Sequence, residues 1–409
     1  MTTSLRRRDS PDQRTDVIAQ FYDHHPYPPP ANLDAAAPRS PLAQRAAHHL
    51  LWPWRPVPER HRVLVAGCGT SQAVRHALLD PSADVIGIDV SPTSLEQSRR
   101  LADRHGVTNL QLHELRIEDI AELGEKFDHV VCTGVLHHLA DPEIGLRALR
   151  GTMAPGGAMT LMVYAPYGRA GVYLIQDYCR RLGISTDSDD IADLVATLRE
   201  LPSHHPITPL LRGTRDFADD DALADALLNP RDRAYSVPQL VSLLDGAGLR
   251  LGRWARQAPY LPDCGSISET PHGRRIAALP AAEQYAALEL FRGTMVRHTA
   301  IAVAADDPIP EQLNLTDSTM AAARPIPVPT ALAVQERLPP GVAAALLNRA
   351  HTDTDLVLFV GAEELAMFHR VDGETTIAEL GPGAPAFVRR WLRHDLVVLD
   401  ASDCAGMSS

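Results

Sequence analysis

Cysteine is scarce in this sequence, and its spacing excludes several classes of protein. The 409 residues include only five cysteines, at positions 68, 132, 179, 264 and 404. None of them forms a C-x-x-C motif. This spacing argues against a zinc ribbon and against a disulfide framework of the secreted type. We therefore expect a protein of the reduced cytoplasm.

Excess positive charge and long apolar runs are missing as well. Lysine and arginine number 39 against 51 acidic residues, for a formal net charge of −12, so a general nucleic-acid binder is not expected. The basic run within residues 1–16 has no apolar stretch after it and does not indicate a secretory signal. No run of about 18 apolar residues occurs, so no membrane span is expected.

Proline clusters divide the chain into units. The chain has 33 prolines; one cluster precedes the first apolar strand and a second, around residues 308–340, is typical of a linker. The expected units are an N-terminal helical, proline-rich cap (1–58), a core (59–165), a helical lid or substrate insertion (166–234), the remainder of the core sheet (235–305), a linker (306–340) and a small C-terminal domain (341–409).

Strand and helix patterns alternate between residues 60 and 165. Val63–Ala66 and Val85–Ile88 are continuous apolar runs, each followed by a helical stretch. Ser91 and Pro92 suit the first positions of the second helix, and Gly106 suits its end. Alternation of this kind predicts an α/β fold with a parallel sheet covered on both faces.

The C-terminal segment predicts a small α/β domain. The stretches "GVAAALLNRAH", "AEELAMFHRV", "TIAEL" and "AFVRRWLRHD" resemble short helices, whereas "DLVLFV" and "LVVLDA" resemble strands. Short helices with a closing strand suggest a winged-helix-like unit. Peptide binding, dimerisation and capping of the fold are all open roles for it.

A glycine turn ends the first apolar run. Gly67 and Gly69 lie where a strand meets a helix, a place at which glycine lets a ligand approach the backbone. A dinucleotide site would place a third glycine at position 72, but this chain has Gln72. Asp89, at the end of the second strand, can accept hydrogen bonds from both ribose hydroxyls. The pattern therefore favours a ligand with a ribose and without a diphosphate, and it argues against a nicotinamide oxidoreductase.

Several segments in order resemble one enzyme family. "VLVAGCGTSQ", "VIGIDVSPTSLEQSRRLA", "FDHVVCTGVLHHLADPEIGLRALRGTMAPGGAMTLMVYAPYGR" and "YSVPQLVSLLDGAGL" resemble the class I S-adenosylmethionine-dependent methyltransferases, and among them the ubiquinone/menaquinone C-methyltransferase-like group. The resemblance implies a Rossmann-like, seven-stranded, doubly wound sheet, S-adenosyl-L-methionine as the cofactor, and a methyltransferase activity.

The resemblance also implies a cofactor site. Its expected members are Gly67, Cys68 and Gly69 beside the methionine, Asp89 at the ribose, Val90, Ile117 and Glu118 at the adenine, and Thr133 and Gly134 at the methionine amino group and sulfonium. One departure concerns Arg116, because many relatives have an acidic residue there that binds the adenine amino group. Either Glu118 or a backbone carbonyl would take that role.

Candidate catalytic and substrate residues come from three segments. "FYDHHPYPPP" resembles the segments that close over the cofactor in such enzymes, with Tyr22 as the first candidate and Tyr27 as the second. His137 and His138 follow the fourth strand. One of them would act as a base or contact the substrate, or the two would form a structural pair. Three more substrate candidates follow the fifth strand, namely Tyr164, Tyr167 and Arg169.

Methyl transfer by an in-line SN2 step needs alignment and exclusion of water more than a catalytic triad. No carboxylate or cysteine stands at ligand spacing from the histidine pairs, so no metal is expected. The favoured acceptor is a small molecule. The alternatives are a peptide or protein side chain recruited by the C-terminal domain, and a non-catalytic regulator that binds the cofactor. A homodimer is compatible with any of them.

Overall fold

The structure is a computed structural model that describes residues 17–213, 219–307 and 317–404. The basic run at the amino terminus and residues 308–316 of the second proline cluster lie outside the described residues. In this described part of the chain, no helix is long and apolar enough to cross a membrane.

A seven-stranded sheet forms the centre of the molecule. Its strands are β1 (His61–Ala66), β2 (Ala83–Asp89), β3 (Leu110–Glu114), β4 (Phe127–Thr133), β5 (Met153–Tyr164), β6 (Leu249–Trp254) and β7 (Arg297–Ala304). Their order is β3-β2-β1-β4-β5-β7-β6. Strands β1 to β5 are parallel, and β7 is antiparallel to both of its neighbours. The expected Rossmann-like, doubly wound sheet is confirmed.

Apolar residues cover both faces of this sheet. Along β1, Val63 and Val65 belong to one buried cluster, and Leu64 and Ala66 belong to another. Successive side chains of a strand point to opposite faces, so a strand that is buried on both sides has to be apolar throughout. This is why β1 shows a continuous apolar run instead of alternation.

The helices are, in chain order, α1 (Val17–His24), α2 (Pro41–Leu51), α3 (Gln72–Leu79), α4 (Pro92–Arg104), α5 (Pro142–Thr152), α6 (Ala170–Leu182), α7 (Ser188–Arg199), α8 (Thr208–Gly213), α9 (Asp220–Leu228), α10 (Val237–Gly246), α11 (Pro271–Ala277), α12 (Ala281–Arg292), α13 (Asp317–Ala322), α14 (Ala362–Phe368), α15 (Ile377–Leu380) and α16 (Ala384–Arg393). Helix α4 begins as expected, since the Ser91 hydroxyl accepts a hydrogen bond from the Ser94 N–H at 3.1 Å. Gly106 follows its end with φ = 63°.

Helices α6 to α9 form the insertion between β5 and β6, and they have a core of their own. Val172, Ile175, Leu194 and Leu223 are buried there together with Phe21 of α1. The packing is close, because a Cβ atom added to Gly171 would lie 2.3 Å from the Ile207 backbone nitrogen. The N-terminal helix α1 therefore packs with the insertion.

The C-terminal residues form a second core. Strands β9 (Ala331–Val334), β10 (Ala344–Asn348) and β11 (Val357–Val360) make an antiparallel sheet, and β8 (Arg324–Pro327) pairs with β12 (Val397–Asp400). Helix α2 packs against this unit, where Ala46 contacts Ile326 and Val398. The winged-helix resemblance stays a prediction.

Two expectations for this region are corrected. The stretch "GVAAALLNRAH" was expected to be helical, but its centre forms β10, whose Ala344 and Leu346 are buried in the second core. A short apolar run cannot be assigned from its period alone, and the pairing with β9 and β11 decides it. The expected linker 306–340 also contains α13, β8 and β9, so residues 317–334 belong with this core.

Candidate active site

A cavity of about 360 Å³ opens at the carboxyl ends of β1, β2, β4 and β5. Parallel strands place their carboxyl ends at one edge of a sheet, which is where α/β proteins bind ligands. All nine expected cofactor residues line this cavity: Gly67, Cys68, Gly69, Asp89, Val90, Ile117, Glu118, Thr133 and Gly134. The structure thus brings together residues from four separate loops.

The glycine turn after β1 adopts a conformation that other residues rarely take. Gly67 has φ = 64° and Gly69 has φ = 55°, both in the left-handed region. The turn is anchored by a hydrogen bond from the Cys68 N–H to the Ile88 carbonyl at 2.9 Å. A Cβ atom on Gly67 would lie 2.4 Å from Val135 Cγ2, whereas at Gly69 the nearest atom is 3.7 Å away.

We expect Gly67→Ala to destabilise the fold by about 1 kcal/mol more than Gly69→Ala. Both variants carry the left-handed strain, and only the first adds a steric clash with Val135. Urea denaturation of the two variants measures the difference. Equal destabilisation would mean that Val135 does not restrict the turn.

Asp89 is held by the backbone on both sides. Its Oδ2 accepts a hydrogen bond from the Gly69 N–H at 2.7 Å, and its Oδ1 accepts one from the Ser91 N–H at 2.9 Å. Loss of hydration raises the pKa of this carboxyl, and the bonds from Ser91 and Gly69 oppose that rise. Each carboxylate oxygen accepts more than one hydrogen bond, so a fixed acceptor remains for a ligand in the cavity.

On the adenine side of the expected site, Arg116 stands where many relatives of the family have an acidic residue. Ile117 and Glu118 line the cavity together with Leu115. The Arg116 side chain is 44 % exposed and lies 3.7 Å from Glu118 Oε1 and 4.0 Å from Asp119 Oδ2. The arginine is therefore placed beside Glu118 rather than on the cavity wall.

Gln72 occupies the position at which a dinucleotide site would have its third glycine. Its side chain lines the cavity, and Nε2 donates a hydrogen bond to the Thr133 hydroxyl. Its Oε1 is buried and has no hydrogen-bond partner within the described chain. At this position the chain therefore has a hydrogen-bond acceptor in the cavity wall instead of a glycine.

Tyr22 lines the cavity and is hydrogen-bonded to the insertion. Its hydroxyl donates a hydrogen bond to Asp225 Oδ1 at 2.7 Å and accepts one from Asn229 Nδ2 at 3.2 Å. Burial raises the pKa of the Tyr22 phenol well above its usual value, and the neighbouring Asp225 adds to the rise. Tyr27, the second candidate, also lines the cavity.

The two adjacent histidines have different surroundings. His138 lines the cavity, and its Nδ1 donates to the Arg231 carbonyl, which can only accept. His137 is fully buried and is not among the residues that line the cavity. Burial lowers its pKa well below the usual value, with His138 as the next cause. Both ring nitrogens of His137 lack a hydrogen-bond partner among the described residues.

The structure places two of the three candidates after β5 at the cavity and one outside it. Tyr164 and Arg169 line the cavity, and the Arg169 guanidinium carbon lies 3.6 Å from the centre of the Tyr164 ring. Arg169 is 2 % exposed. Tyr167 is 42 % exposed and is not among the cavity-lining residues, so the structure does not bring it to the site.

Sequence reasoning missed several residues of this site. Asp225, Arg231 and Arg297 line the cavity, and Asp232 lies near the two histidines. The first two and Asp232 come from the insertion, which has no motif that marks them. The position of Gln72 directly after the glycine turn could have indicated that it lines the cavity. From the sequence alone, this residue indicated only that the third glycine of a dinucleotide site is missing.

The comparisons with known proteins agree with this geometry. A family model described as a methyltransferase domain matches residues 64–159. An uncharacterized protein of Synechococcus sp. is 31 % identical over 291 residues, which cover 69 % of this chain and 70 % of that protein. The ubiquinone biosynthesis O-methyltransferase of Cereibacter sphaeroides is 36 % identical over 98 residues, which are 24 % of this chain and 39 % of that enzyme.

Among solved structures, PKMT2 from Rickettsia typhi in complex with AdoHcy superposes with a TM-score of 0.60 at 15 % identity. The superposition covers 91 % of this chain and 77 % of that one, and it shows a shared fold. The sheet order and the cavity at its carboxyl edge are those of a Rossmann-like fold. The chain belongs to the class I S-adenosylmethionine-dependent methyltransferases. It is an enzyme whose cofactor is S-adenosyl-L-methionine and whose other substrate is a methyl acceptor.

Proposed function

We propose that the cavity binds S-adenosyl-L-methionine along the glycine turn and delivers its methyl group to a small molecule. The observation that carries this proposal is the convergence of nine expected residues on one cavity around the fixed carboxylate of Asp89. The Asp89 oxygens accept the ribose hydroxyls, and Val90, Ile117 and Glu118 contact the adenine. Gly67, Cys68 and Gly69 line the methionine, with Thr133 and Gly134 near the sulfonium.

Gln72 completes the methionine end of this proposal. The cofactor carries an ammonium group, which has only donors to offer. The Oε1 atom of Gln72 is a buried acceptor without a partner, and its Nε2 is held by Thr133. A buried polar atom without a hydrogen bond is costly, so the cofactor ammonium is the group that satisfies it.

The transfer itself is an in-line displacement. A lone pair of the acceptor attacks the methyl carbon, and the carbon–sulfur bond breaks with its electron pair remaining on sulfur. The sulfonium becomes a neutral thioether, and the acceptor releases a proton when it carries one. The chain contributes alignment and exclusion of water, with His138, Tyr164 and Arg169 on the acceptor side.

The small-molecule proposal rests on how the cavity is enclosed. Ile18 and Tyr22 of α1 and Asp225 and Arg231 of the insertion form part of its wall. A volume of about 360 Å³ is at the lower end of pockets that bind small molecules. Of the described C-terminal residues, 317–404, none lines the cavity, which gives no support to recruitment of a peptide acceptor by that domain.

Labelled methyl transfer into separated extract fractions of the source organism tests this assignment. We expect label from S-adenosyl-L-methionine to enter the metabolite fraction with wild-type protein. Label confined to the protein fraction would replace the small molecule with a peptide or protein acceptor. Absence of label in both fractions, with cofactor binding intact, would favour the regulator alternative.

We expect Tyr22→Phe to raise the Kd for the cofactor about tenfold, by removing the phenol that joins α1 to Asp225. The insertion and α1 then close the cavity less firmly. Calorimetric titration measures the change, and Tyr178→Phe, at a 41 % exposed position of α6, is the matched control. An unchanged Kd for Tyr22→Phe would remove this tyrosine from the closure of the site.

A further inference from the structure

His137, His138 and Asp232 form a cluster beside the acceptor end of the cavity. One ring nitrogen of each histidine and one carboxylate oxygen of Asp232 lie within 4.8 Å of one another. The histidines come from the loop after β4, and the aspartate follows α9 of the insertion. The expectation of no metal rested on the lack of a carboxylate at ligand spacing, and the fold supplies one from a distant part of the chain.

The polar atoms of this cluster are poorly satisfied. Neither ring nitrogen of His137 has a hydrogen-bond partner among the described residues, and the same holds for Asp232 Oδ1. His137 is 0 % exposed and the Asp232 side chain is 2 % exposed. Buried polar groups without partners are costly unless something binds them, and these two belong to one cluster.

Asp232 is also oriented by its neighbours. Its other oxygen, Oδ2, accepts a hydrogen bond from Gln176 Nε2 at 2.8 Å and lies 3.8 Å from Arg169 Nη2. These contacts occupy Oδ2 and leave Oδ1 as the oxygen for a further ligand. Ligating carboxylates are commonly held in this way by a second set of residues.

We propose that His137, His138 and Asp232 bind one divalent cation of the zinc type. Two imidazoles and one carboxylate are a ligand set that such cations accept, with an open position for substrate. The Arg169 guanidinium offsets the charge of Asp232, which disfavours Mg²⁺ and Ca²⁺ because they depend on several charged oxygen ligands. The ligand atoms have to move closer together, since bond lengths to zinc are about 2.0–2.2 Å.

The position of the cluster connects it with the proposed function. His138 lines the cofactor cavity, and Asp232 lines a second cavity of about 290 Å³ on the insertion side. A cation there would have access to solvent and to the methyl acceptor. A hydroxyl or thiol of the acceptor that is bound to such a cation would release its proton to solvent more readily. This effect on methyl transfer rests on the proposed function, whereas the binding of the cation does not.

Titration of the full-length, tag-free chain with Co²⁺ tests the proposal, because visible absorption reports a cation held by imidazole nitrogens. We expect one saturable site whose spectrum disappears when Zn²⁺ is added. Asp232→Asn and His137→Gln should each weaken Co²⁺ binding at least about tenfold, since each removes a direct ligand. Asp177→Asn in the insertion and His113→Gln on β3 are matched controls that should leave it unchanged.

The proposal is overturned if wild-type protein shows no saturable Co²⁺ spectrum, or if both ligand variants bind Co²⁺ as wild-type protein does. The wild-type spectrum decides the question even when one variant fails to fold. S-adenosyl-L-methionine affinity is measured in the same samples. Cofactor binding without a cobalt site would contradict only the metal proposal, and a cobalt site without cofactor binding would contradict only the proposed function.

Discussion

Asp89→Ala is expected to weaken S-adenosyl-L-methionine binding by about 2–3 kcal/mol, which is roughly 30- to 150-fold in Kd. The carboxylate is the group that accepts the ribose hydroxyls in the proposed site, and both hydroxyls would be left without it. The variant also removes the acceptor for the N–H groups of Gly69 and Ser91, so the glycine turn loses an anchor. Isothermal titration calorimetry measures the change.

Two companion variants separate ligand contact from loss of the anchor. Asp89→Asn keeps one acceptor oxygen and should lose less affinity than Asp89→Ala. Asp84→Ala removes a carboxyl from the same strand, where it is 48 % exposed and pairs with Arg60, and it should bind the cofactor as wild-type protein does. Unchanged affinity in Asp89→Ala would remove Asp89 from the site.

Acidification from pH 7 to pH 4 is expected to destabilise the fold by several kcal/mol. The chief reason is a group of histidines that are neutral in the folded protein. Loss of hydration lowers the pKa of His129 to about 3 and those of His76 and His48 to about 4. An unfolded histidine has a pKa of about 6.5.

The direction in which the free energy of unfolding changes with pH follows from these pKa shifts. A group whose folded pKa lies below its unfolded pKa stabilises the fold fully above the unfolded value, and this stability is lost as the pH falls toward the folded value. Each histidine therefore contributes a loss of up to about 1.4 kcal/mol per pH unit below pH 6.5. The neighbours Arg39, Arg75 and His61 add to the shifts, and Asp80 opposes the shift of His76.

Urea denaturation at pH 7, 6, 5 and 4 measures this loss. The carboxyls of Asp80 and Asp400 act in a lower pH window. Burial raises their pKa values, but hydrogen bonds from neighbouring side chains outweigh it and hold both pKa values below the usual range. The stability that these carboxylates contribute is therefore lost only near and below pH 4. His129→Gln, which keeps a partner for the Thr160 hydroxyl, should flatten the curve between pH 6.5 and 4. A free energy of unfolding that stays constant from pH 7 to pH 5 would contradict the histidine account.

The parts of the site that lie close together in sequence were predictable. Gly67 and Gly69 follow an apolar strand directly, and Asp89 ends the next strand, so their roles depend on a single β-α-β unit. Parallel strands bring their carboxyl ends together whatever the rest of the chain does. Thr133 and Gly134, at the end of β4, were expected only because the chain resembles the methyltransferase family.

The remaining residues could not be found in this way. Asp225, Arg231 and Asp232 lie in or just after α9, and their distance to the cavity depends on how the insertion packs against α1 and β5. No local pattern encodes that packing. Strand β10 was wrongly expected to be a helix for a related reason. Its apolar run fits either a buried helix or a buried strand, and the pairing with its two neighbours in the sheet makes it a strand.

The most direct test of the central claim is a calorimetric titration of the wild-type chain with S-adenosyl-L-methionine and, separately, with NAD. Gln72 stands where a dinucleotide site would have its third glycine, and Asp89 accepts the ribose hydroxyls in the proposed site. We expect S-adenosyl-L-methionine to bind at one site and NAD to give no saturable heat. Saturable binding of NAD, with no binding of S-adenosyl-L-methionine, would contradict the account.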